Sequence, residues 1–321
     1  MPYISAVSTI SHQPTFKNAG FSGSIEPLKE SSELIVPNFK DYIDAGLLRR
    51  MSKILRMSVT CAKDCLEQSG IKQPDSIIVG TGLGCLQDTE KFLNNYLTIE
   101  GLLPPTSFIQ STHNTIAGQI SLSIGNHGYN MTHTQNSLSF EHALLDGLLL
   151  LNEEDKNVLV GAADEHIEIL NKIGSELNLA PVLLSSGASF FMLSNEKTNE
   201  ALARITDVET IGFVRDIPGS VDLFLENNSL ERKEIDQVLY CGFHDEDDVE
   251  SIVHNRFDHI SVPSGYINYS LYSGMYFTNS AFALHFAIDS IQVNKDIRNV
   301  LICNNLNKIN LGLTLVQSIE A

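Results

Sequence analysis

Short apolar runs alternate along the chain with longer segments of helical periodicity. The run "DSIIVGTGLG" (75–84) is β-branched and opens into a glycine turn, and "SSGASFFMLSNE" (185–196) alternates apolar and small residues as a strand does. Between them, residues 141–165 predict a helix, a charged turn and a second buried strand. "DQVLYCGFHDEDD" (236–248) again predicts a strand followed by a polar loop. This alternation favours an α/β architecture with buried sheets.

The same order of elements occurs twice. A helix that starts at Ser139 leads to the strand "NVLVG" (157–161), and a helix that starts at Ser280 leads to "NVLIC" (299–303). Upstream of each helix lies a similar buried strand, "DSIIVG" in the first case and "DQVLYCG" in the second. Two matches in the same order indicate an internal repeat. We therefore expect two topologically similar halves whose buried helices face each other between mixed sheets.

The length of the chain is consistent with this duplication. A chain of 321 residues with 43% hydrophobic content can bury one large core or two coupled cores. The repeat predicts an N-terminal half over residues 1–200 and a shortened C-terminal half over residues 201–321.

Charge and cysteine content exclude several classes of protein. The formal net charge is −18, from 21 basic and 39 acidic residues, so the surface repels nucleic acid and anionic membranes unless a local basic patch intervenes. The first residues lack the basic stretch and apolar run of a signal peptide. The glycine-rich segment "GTGLG" (80–84) is not followed by the Gly-Lys-Ser/Thr of a Walker loop. The cysteines form no CxxC pair or metal-ligand spacing, so we expect a cytoplasmic protein with reduced thiols, no metal, no cofactor and no membrane insertion. They are Cys61, Cys65, Cys85, Cys241 and Cys303.

Several longer segments resemble one enzyme family. "LLRRMSKILRMSVTCAKDCLEQSGI" (47–71), "IIVGTGLGCLQDTEKF" (77–92) and "PTSFIQSTHNTIAGQISLSIGNHGYNMT" (105–132) are similar to segments of β-ketoacyl synthases, which have the thiolase-like fold. The likeness is strong up to about residue 196 and thins beyond it. It is closer still to the short, chain-length-factor-like proteins of aryl-polyene and flexirubin clusters, in which "SFExALLDA" is a familiar string. The resemblance implies the thiolase-like fold and a role in fatty acid or polyketide synthesis.

The resemblance also implies where a nucleophile would lie. Active condensing enzymes have a cysteine in a Thr-Ala-Cys-x-Ser context, and matching "SFEHAL" to their helix puts Gln135, Asn136 and Ser137 at the Thr-Ala-Cys positions. An alcohol is far less acidic than a thiol, whose pKa is about 8.5, so Ser137 would need a general base. His133 and His244 are candidate bases, and His142, which also flanks the helix start, is a third. The alternative is that Ser137 is a polar residue at a helix start, where serine is common.

The other catalytic elements of the family are replaced as well. "YCGFHDEDDVES" (240–251) stands in place of the family's His-Gly-Thr loop. Tyr269 and Gly274 fall where a lysine and a second histidine would be, and "NNLNKINLG" (304–312) replaces a Gly-Phe-Gly-Gly loop. A decarboxylating synthase needs donors for the oxygens of its intermediates. The joint loss of these elements indicates a subunit released from catalysis, although whether the protein is an enzyme stays open.

A basic segment is the candidate docking surface. Arg49, Lys53, Arg56 and Lys63 have the spacing of one helical face, and Arg50 lies beside them. The resemblance implies that this face binds an acidic acyl carrier protein. A solvated helix face is the alternative interpretation.

These features together predict a catalytically degenerate synthase homologue that acts as a chain-length-factor-like partner of an active ketosynthase. Family members dimerise through a strand that here would lie around Met131–Gln135, so the partner is a ketosynthase or a second copy. Two alternatives stay open: an acyltransferase or thioesterase that uses Ser137, and a homodimeric acyl-binding protein without a pathway partner. The residues expected to shape an acyl tunnel are Leu138, Phe140, Tyr272, Met275 and Phe277.

Overall fold

The computed structural model describes residues 2–153, 155–178, 182–242, 257 and 265–319. Its strands are β1 (Tyr3–Ile10), β2 (Ser76–Gly80), β3 (Tyr129–His133), β4 (Asn157–Asp164), β5 (Gly187–Ser194), β6 (Ala203–Gly212), β7 (Gln237–Gly242), β8 (Tyr266–Asn268), β9 (Asn299–Asn305) and β10 (Asn310–Gln317). Its helices are α1 (Ala45–Leu48), α2 (Lys53–Ser69), α3 (Leu86–Thr98), α4 (Pro105–Gln110), α5 (Thr115–Ile124), α6 (Ser139–Glu153), α7 (Glu168–Glu176), α8 (Ile217–Asn227), α9 (Ser270–Ser273) and α10 (Ser280–Val293).

The strand order repeats itself across the middle of the sheet. The order is β3-β2-β4-β5-β1-β6-β10-β9-β7-β8. In the first half, β2 pairs in parallel with β3 and β4, and β4 pairs antiparallel with β5. In the second half, β7 pairs in parallel with β8 and β9, and β9 pairs antiparallel with β10. The prediction of two topologically similar α/β halves is therefore confirmed, and the expected division at residue 200 lies between β5 and β6.

The two halves meet through a narrow sheet contact and a shared core. Strands β1 and β6 are joined by only two residue pairs, Tyr3 with Arg204 and Ile4 with Ala203. The helices α6 and α10 lie between the halves, because α6 contacts β2, β4 and β6, while α10 contacts β9, β5 and β1. Phe140 of α6 and Phe282 of α10 belong to the same buried hydrophobic cluster. The buried helices are thus the main connection between the halves.

Small residues let these helices approach the strands. A side chain at Gly80, the end of β2, would place its Cβ 2.5 Å from the carbonyl oxygen of Ser139, where α6 begins. A real Cβ atom does not tolerate such a distance, so glycine is required for α6 to begin against β2.

Helix α10 is buried from Ser280 to Ile291. A helix that is buried on every side in this way is typical of a protein interior.

The cations that were predicted to share one helical face do not lie on one helix. The structure contains two helices instead, and Arg49 and Arg50 lie in the link between α1 and α2. Ser52 has an extended backbone (ψ 171°) and begins α2 as its N-cap residue, a position that serine favours. The basic residues therefore do not form the single helical face that their spacing suggested. The cations that remain on α2 are Lys53, Arg56 and Lys63.

Within the part of the chain that the structure describes, every helix is too short or too polar to cross a membrane.

Candidate functional site

The turn between β3 and α6 has an unusual backbone. Asn136 has φ +57°, in the left-handed region, and opens a short 3-10 turn over Asn136–Leu138 that runs into α6. Its side-chain oxygen accepts a hydrogen bond from the Ser137 N–H (2.8 Å), and its carbonyl accepts one from the Ser139 hydroxyl (2.6 Å). Asparagine is one of the few residues that adopts this conformation at low cost. In enzymes with a strand–elbow–helix arrangement, the nucleophile occupies the strained residue. Here that residue is Asn136 rather than Ser137.

A cavity of about 440 Å³ opens at this elbow. Its wall is mainly apolar and includes Asn136. Two of the predicted tunnel residues, Met275 and Phe277, line it. The other three lie elsewhere: Leu138 and Phe140 are buried in the protein interior, and Tyr272 packs against the same core. The remaining residues of the cavity wall are Val182, Leu184, Tyr276, Leu306, Asn307 and Lys308.

Ser137 lies behind the elbow and not in the cavity wall. It is 1% exposed, and its hydroxyl has no hydrogen-bond partner among the residues that the structure describes. Its carbonyl accepts a hydrogen bond from the Asn304 side-chain amide (2.7 Å), which also donates to Glu141 Oε1 (2.8 Å). Asn304 of the second half thus holds the start of α6. Among the residues that the structure describes, no base forms a hydrogen bond with the Ser137 hydroxyl to activate it.

Glu141 is a fully buried acid at this junction. Burial raises the pKa of its carboxyl, while the hydrogen bond from Asn304 acts in the opposite direction. Gly312 of β10 makes room for it, because a Cβ there would lie 2.9 Å from Glu141 Cγ. The position of the Glu141 side chain therefore depends on three elements: α6, which carries it, β9, which supplies Asn304, and β10, which supplies Gly312.

The predicted base His133 contacts Asp146 and His142 rather than Ser137. Its Nε2 lies 2.9 Å from Asp146 Oδ2, an oxygen that also accepts a hydrogen bond from the Tyr129 hydroxyl (3.4 Å). The His142 ring stacks on His133 with centroids 6.4 Å apart, and burial together with His133 lowers the pKa of His142. The second predicted base, His244, lies outside the described residues.

Tyr269 and Gly274, the two residues that the resemblance matches to a lysine and a histidine, carry no basic group. Tyr269 is fully buried, and burial raises the pKa of its phenol well above the ordinary value. Its hydroxyl has no hydrogen-bond partner within the described ranges. Gly274 has φ +70°, and its carbonyl accepts a hydrogen bond from the Asn279 side chain (3.1 Å). The described wall around Asn136 thus contains no imidazole.

The glycine-rich loop after β2 binds a side chain of the protein itself. The backbone N–H groups of Gly82 and Leu83 donate to Asp164 at 3.0 Å, and so does the Thr81 hydroxyl. Thr278, from the second half, donates to the other oxygen of Asp164 at 2.8 Å. Burial raises the pKa of this carboxyl. The loop donors that would be needed for a phosphate are therefore occupied, and Asp164 joins the two halves.

The predicted docking residues have different environments. Arg49 and Arg50 are exposed in the α1–α2 link. Partial burial lowers the pKa of Lys53, which lies near Glu165, and burial raises the pKa of Glu165 to about 7. Arg56 has a buried Nε atom without a partner in the described part of the chain.

Sequence reasoning missed the elbow residue and its support. The signal for Asn136 was present, because asparagine directly before a helix start is a residue type that tolerates positive φ. The contact of Glu141 with Asn304 spans 163 positions and had no local signal.

Comparisons with known proteins agree with this architecture. The sequence model for the β-ketoacyl synthase N-terminal domain matches residues 35–201, just over half of the chain. No curated protein matches the sequence. Among solved structures, the ishigamide ketosynthase/chain length factor superposes with a TM-score of 0.77 at 16% identity, over 99% of both chains. The ketosynthase ApeO in complex with its chain length factor ApeC, from Xenorhabdus doucetiae, gives 0.77 at 12% identity, over 99% of this chain and 98% of that one.

A third structure, of the complex AntDE:AntF, contains a type II polyketide synthase acyl-carrier protein with its ketosynthase bound to the hexaketide. It gives a TM-score of 0.77 at 16% identity over 99% of both chains. These likenesses establish the thiolase-like fold. Together with the match over residues 35–201, they lead to one conclusion: the chain belongs to the β-ketoacyl synthase family.

Proposed function

We propose that this protein is a non-catalytic, chain-length-factor-like subunit that pairs with an active ketosynthase in fatty acid or aryl-polyene-type polyketide synthesis. The observation that carries the proposal is Asn136 at the elbow. A carboxamide occupies the strained position beside the cavity, and a carboxamide cannot form the acyl-enzyme intermediate that a thiolate forms. Ser137 and Tyr269 are turned into the protein interior and supply no substitute.

The sheet edge at β3 supports a paired state. Strand β3 is at the end of the described strand order and pairs only with β2 there. Natural edge strands are usually protected by charged residues, proline or bulges, yet "YNMTH" has no lysine, acidic residue or proline. Tyr129 and Met131 are exposed on it. An open edge of this kind is suited to pairing with the strand of another subunit.

The segment that precedes β3 extends this surface. From residue 92 to residue 133 only Glu100 carries a fixed charge, although 19% of the whole chain is charged. Depletion of charge combined with exposed apolar side chains marks the core of protein interfaces. We call residues 92–133 the uncharged face and propose that it contacts the partner. Its exposed apolar residues include Leu93, Tyr96, Leu97, Leu102, Phe108, Ile109 and Leu122.

The structural neighbours support the identity of the partner. Two of them are assemblies of a ketosynthase with a chain length factor, and a third contains an acyl-carrier protein bound to its ketosynthase. We propose by analogy that Met275 and Phe277 help to shape an acyl tunnel, and that Arg49 and Arg50 contribute to carrier docking.

Co-expression with an active ketosynthase of the same organism tests the proposal. We expect the two chains to copurify in a one-to-one complex, and Met131→Lys to reduce the recovered complex at least tenfold because a buried lysine charge opposes strand pairing. Leu223→Lys on α8 is the matched control, since Leu223 is exposed outside the uncharged face. A protein that stays a homodimer in the presence of the ketosynthase would refute the proposed partnership.

Acyl transfer by Ser137 is the competing function, and intact-mass analysis distinguishes it. The protein is incubated with acyl-CoA or with acyl-loaded carrier, and its mass is compared with that of Ser137→Ala. We expect no adduct on either protein. An adduct that is present in the wild type and lost in Ser137→Ala would establish an acyltransferase instead.

A further inference from the structure

One wall of the cavity at the elbow comes from the second half and is fixed to the first half at both ends. Residues 275–277 line the cavity. At one end of this wall, the Met275 N–H donates a hydrogen bond to the Leu183 carbonyl (2.8 Å). At the other end, the Thr278 hydroxyl donates one to Asp164 (2.8 Å). Residues 275–277 are therefore held in place relative to the first half.

The Phe277 side chain packs directly on the backbone of Gly82. A Cβ atom at Gly82 would lie 2.3 Å from Phe277 Cβ and 2.5 Å from Phe277 Cγ. The Gly82 N–H donates a hydrogen bond (3.0 Å) to the Asp164 carboxyl, which also binds Thr278 next to Phe277. Phe277 lines the cavity and Gly82 does not, so the phenylalanine stands between this glycine and the cavity.

Tyr276 has the same relation to Gly187, which lies on β5. A Cβ atom at Gly187 would lie 2.4 Å from the Tyr276 hydroxyl oxygen. That hydroxyl has no hydrogen-bond partner among the described residues, so close packing on the glycine, rather than a polar contact, defines its position. Neither Gly82 nor Gly187 has a positive φ angle. Glycine is therefore needed at both positions for space and not for backbone conformation.

We propose that Gly82 and Gly187 determine how long an apolar chain the cavity accepts. Each glycine leaves room behind the wall for a side chain, Phe277 or Tyr276, that a larger residue would push toward the cavity. Protein interiors are close packed, so a methyl group added behind a wall displaces the wall into the nearest free volume. Both glycines are thus positioning residues. The inference rests on the proposed function, in which Phe277 helps to shape an acyl tunnel.

Calorimetric titration of the full chain with straight-chain primary alcohols of four to ten carbons tests the proposal. Alcohols are neutral, so the net charge of −18 does not oppose their binding. Each buried methylene group should raise the affinity about fourfold until the cavity is full, after which the affinity levels off. We expect Gly82→Ala and Gly187→Ala to move this plateau to alcohols shorter by at least one carbon, and Phe277→Ala to move it to longer ones.

A double substitution separates the proposed contact from a general loss of packing. Tyr276→Leu removes the ring atoms that a Cβ atom at position 187 would meet. In the Tyr276→Leu background, Gly187→Ala should therefore leave the plateau unchanged. Gly161→Ala is the matched control, because a Cβ atom there would lie 2.2 Å from Cδ1 of Phe190, a core residue that does not line the cavity. It should destabilise the fold without moving the plateau.

An unchanged plateau in Gly82→Ala or Gly187→Ala, a plateau shift of the same size in Gly161→Ala, or no binding of any alcohol to the wild type would overturn the proposal. If Gly82→Ala does not fold, Gly187→Ala decides, because the Tyr276 atoms that it meets are the far end of a side chain and can move. The titration needs no ketosynthase. A failure of the co-expression experiment therefore leaves this result readable, and a failure here leaves the proposed partnership intact.

Discussion

The two buried helices, α6 and α10, occupy equivalent places in the two halves but are built differently at their starts. Two residues after the first residue of α6 stands the acid Glu141, and at the same position of α10 stands Phe282. Glu141 reaches Asn304 of the other half, whereas Phe282 packs its ring near Phe21, with centroids 6.2 Å apart. The two halves therefore share the same sheet topology, while the first turns of α6 and α10 carry different side chains that make different contacts.

The backbone that leads into each helix also differs between the two halves. The chain enters α6 through the left-handed residue Asn136 beside a cavity, and it enters α10 through Asn279 in ordinary right-handed geometry (φ −67°). The Asn279 amide is directed inward, to the Gly274 carbonyl. The entry to α6 thus places Asn136 in the wall of a cavity, whereas α10 contributes mainly to the buried core.

The largest effect is expected from Phe282→Ala. This substitution leaves a cavity in the core shared by both halves and should lower the free energy of unfolding by about 3–5 kcal/mol. Urea unfolding followed by circular dichroism measures the loss. Leu149→Ala on α6 is the control, because Leu149 is exposed and its truncation should change the stability by less than about 0.5 kcal/mol. A loss of about 1 kcal/mol or less for Phe282→Ala would show that α10 is not the central support of the fold.

A smaller loss of stability is expected at acid pH, and it depends on His285, another residue of α10. His285 is buried against the Phe21 ring, and burial lowers its pKa to about 4, although Asp289 acts in the opposite direction. The unfolded chain binds this proton more readily, near pH 6.5, so the stability is complete above that pH and is lost as the pH falls toward 4. Between pH 7 and pH 5 we expect a loss of roughly 2 kcal/mol from this group.

The substitution His285→Leu assigns this acid sensitivity. The variant should lose less stability than the wild type between pH 7 and pH 5, by the same roughly 2 kcal/mol. Urea unfolding at both pH values measures the difference. If both proteins lose the same stability between pH 7 and pH 5, a group other than His285 causes the acid sensitivity.

Most of the architecture could be predicted from sequence, because its signals are local. The starts of α6 at Ser139 and of α10 at Ser280 follow from apolar periodicity, and β4 and β9 follow from β-branched runs. The break between α1 and α2 was missed because the helical spacing of the cations outweighed the N-cap signal of Ser52. The link between Asn304 and Glu141 depends on how the halves pack, and no local pattern encodes such a contact.

The smallest effect is expected at the elbow residue Asn136. Two substitutions there distinguish the contribution of the backbone conformation from that of the side-chain amide. Asn136→Ala should cost about 1 kcal/mol, because alanine resists the left-handed conformation, while Asn136→Gly should be nearly neutral. The same pair of substitutions at Asn178, an exposed residue with φ +52°, measures the backbone contribution alone. Thermal unfolding of the four variants gives the comparison. If alanine and glycine are equivalent at position 136 but not at 178, the elbow is held by its side-chain contacts. A loss of ketosynthase pairing common to both Asn136 variants would then assign the amide, rather than the strained backbone, to the partner interface.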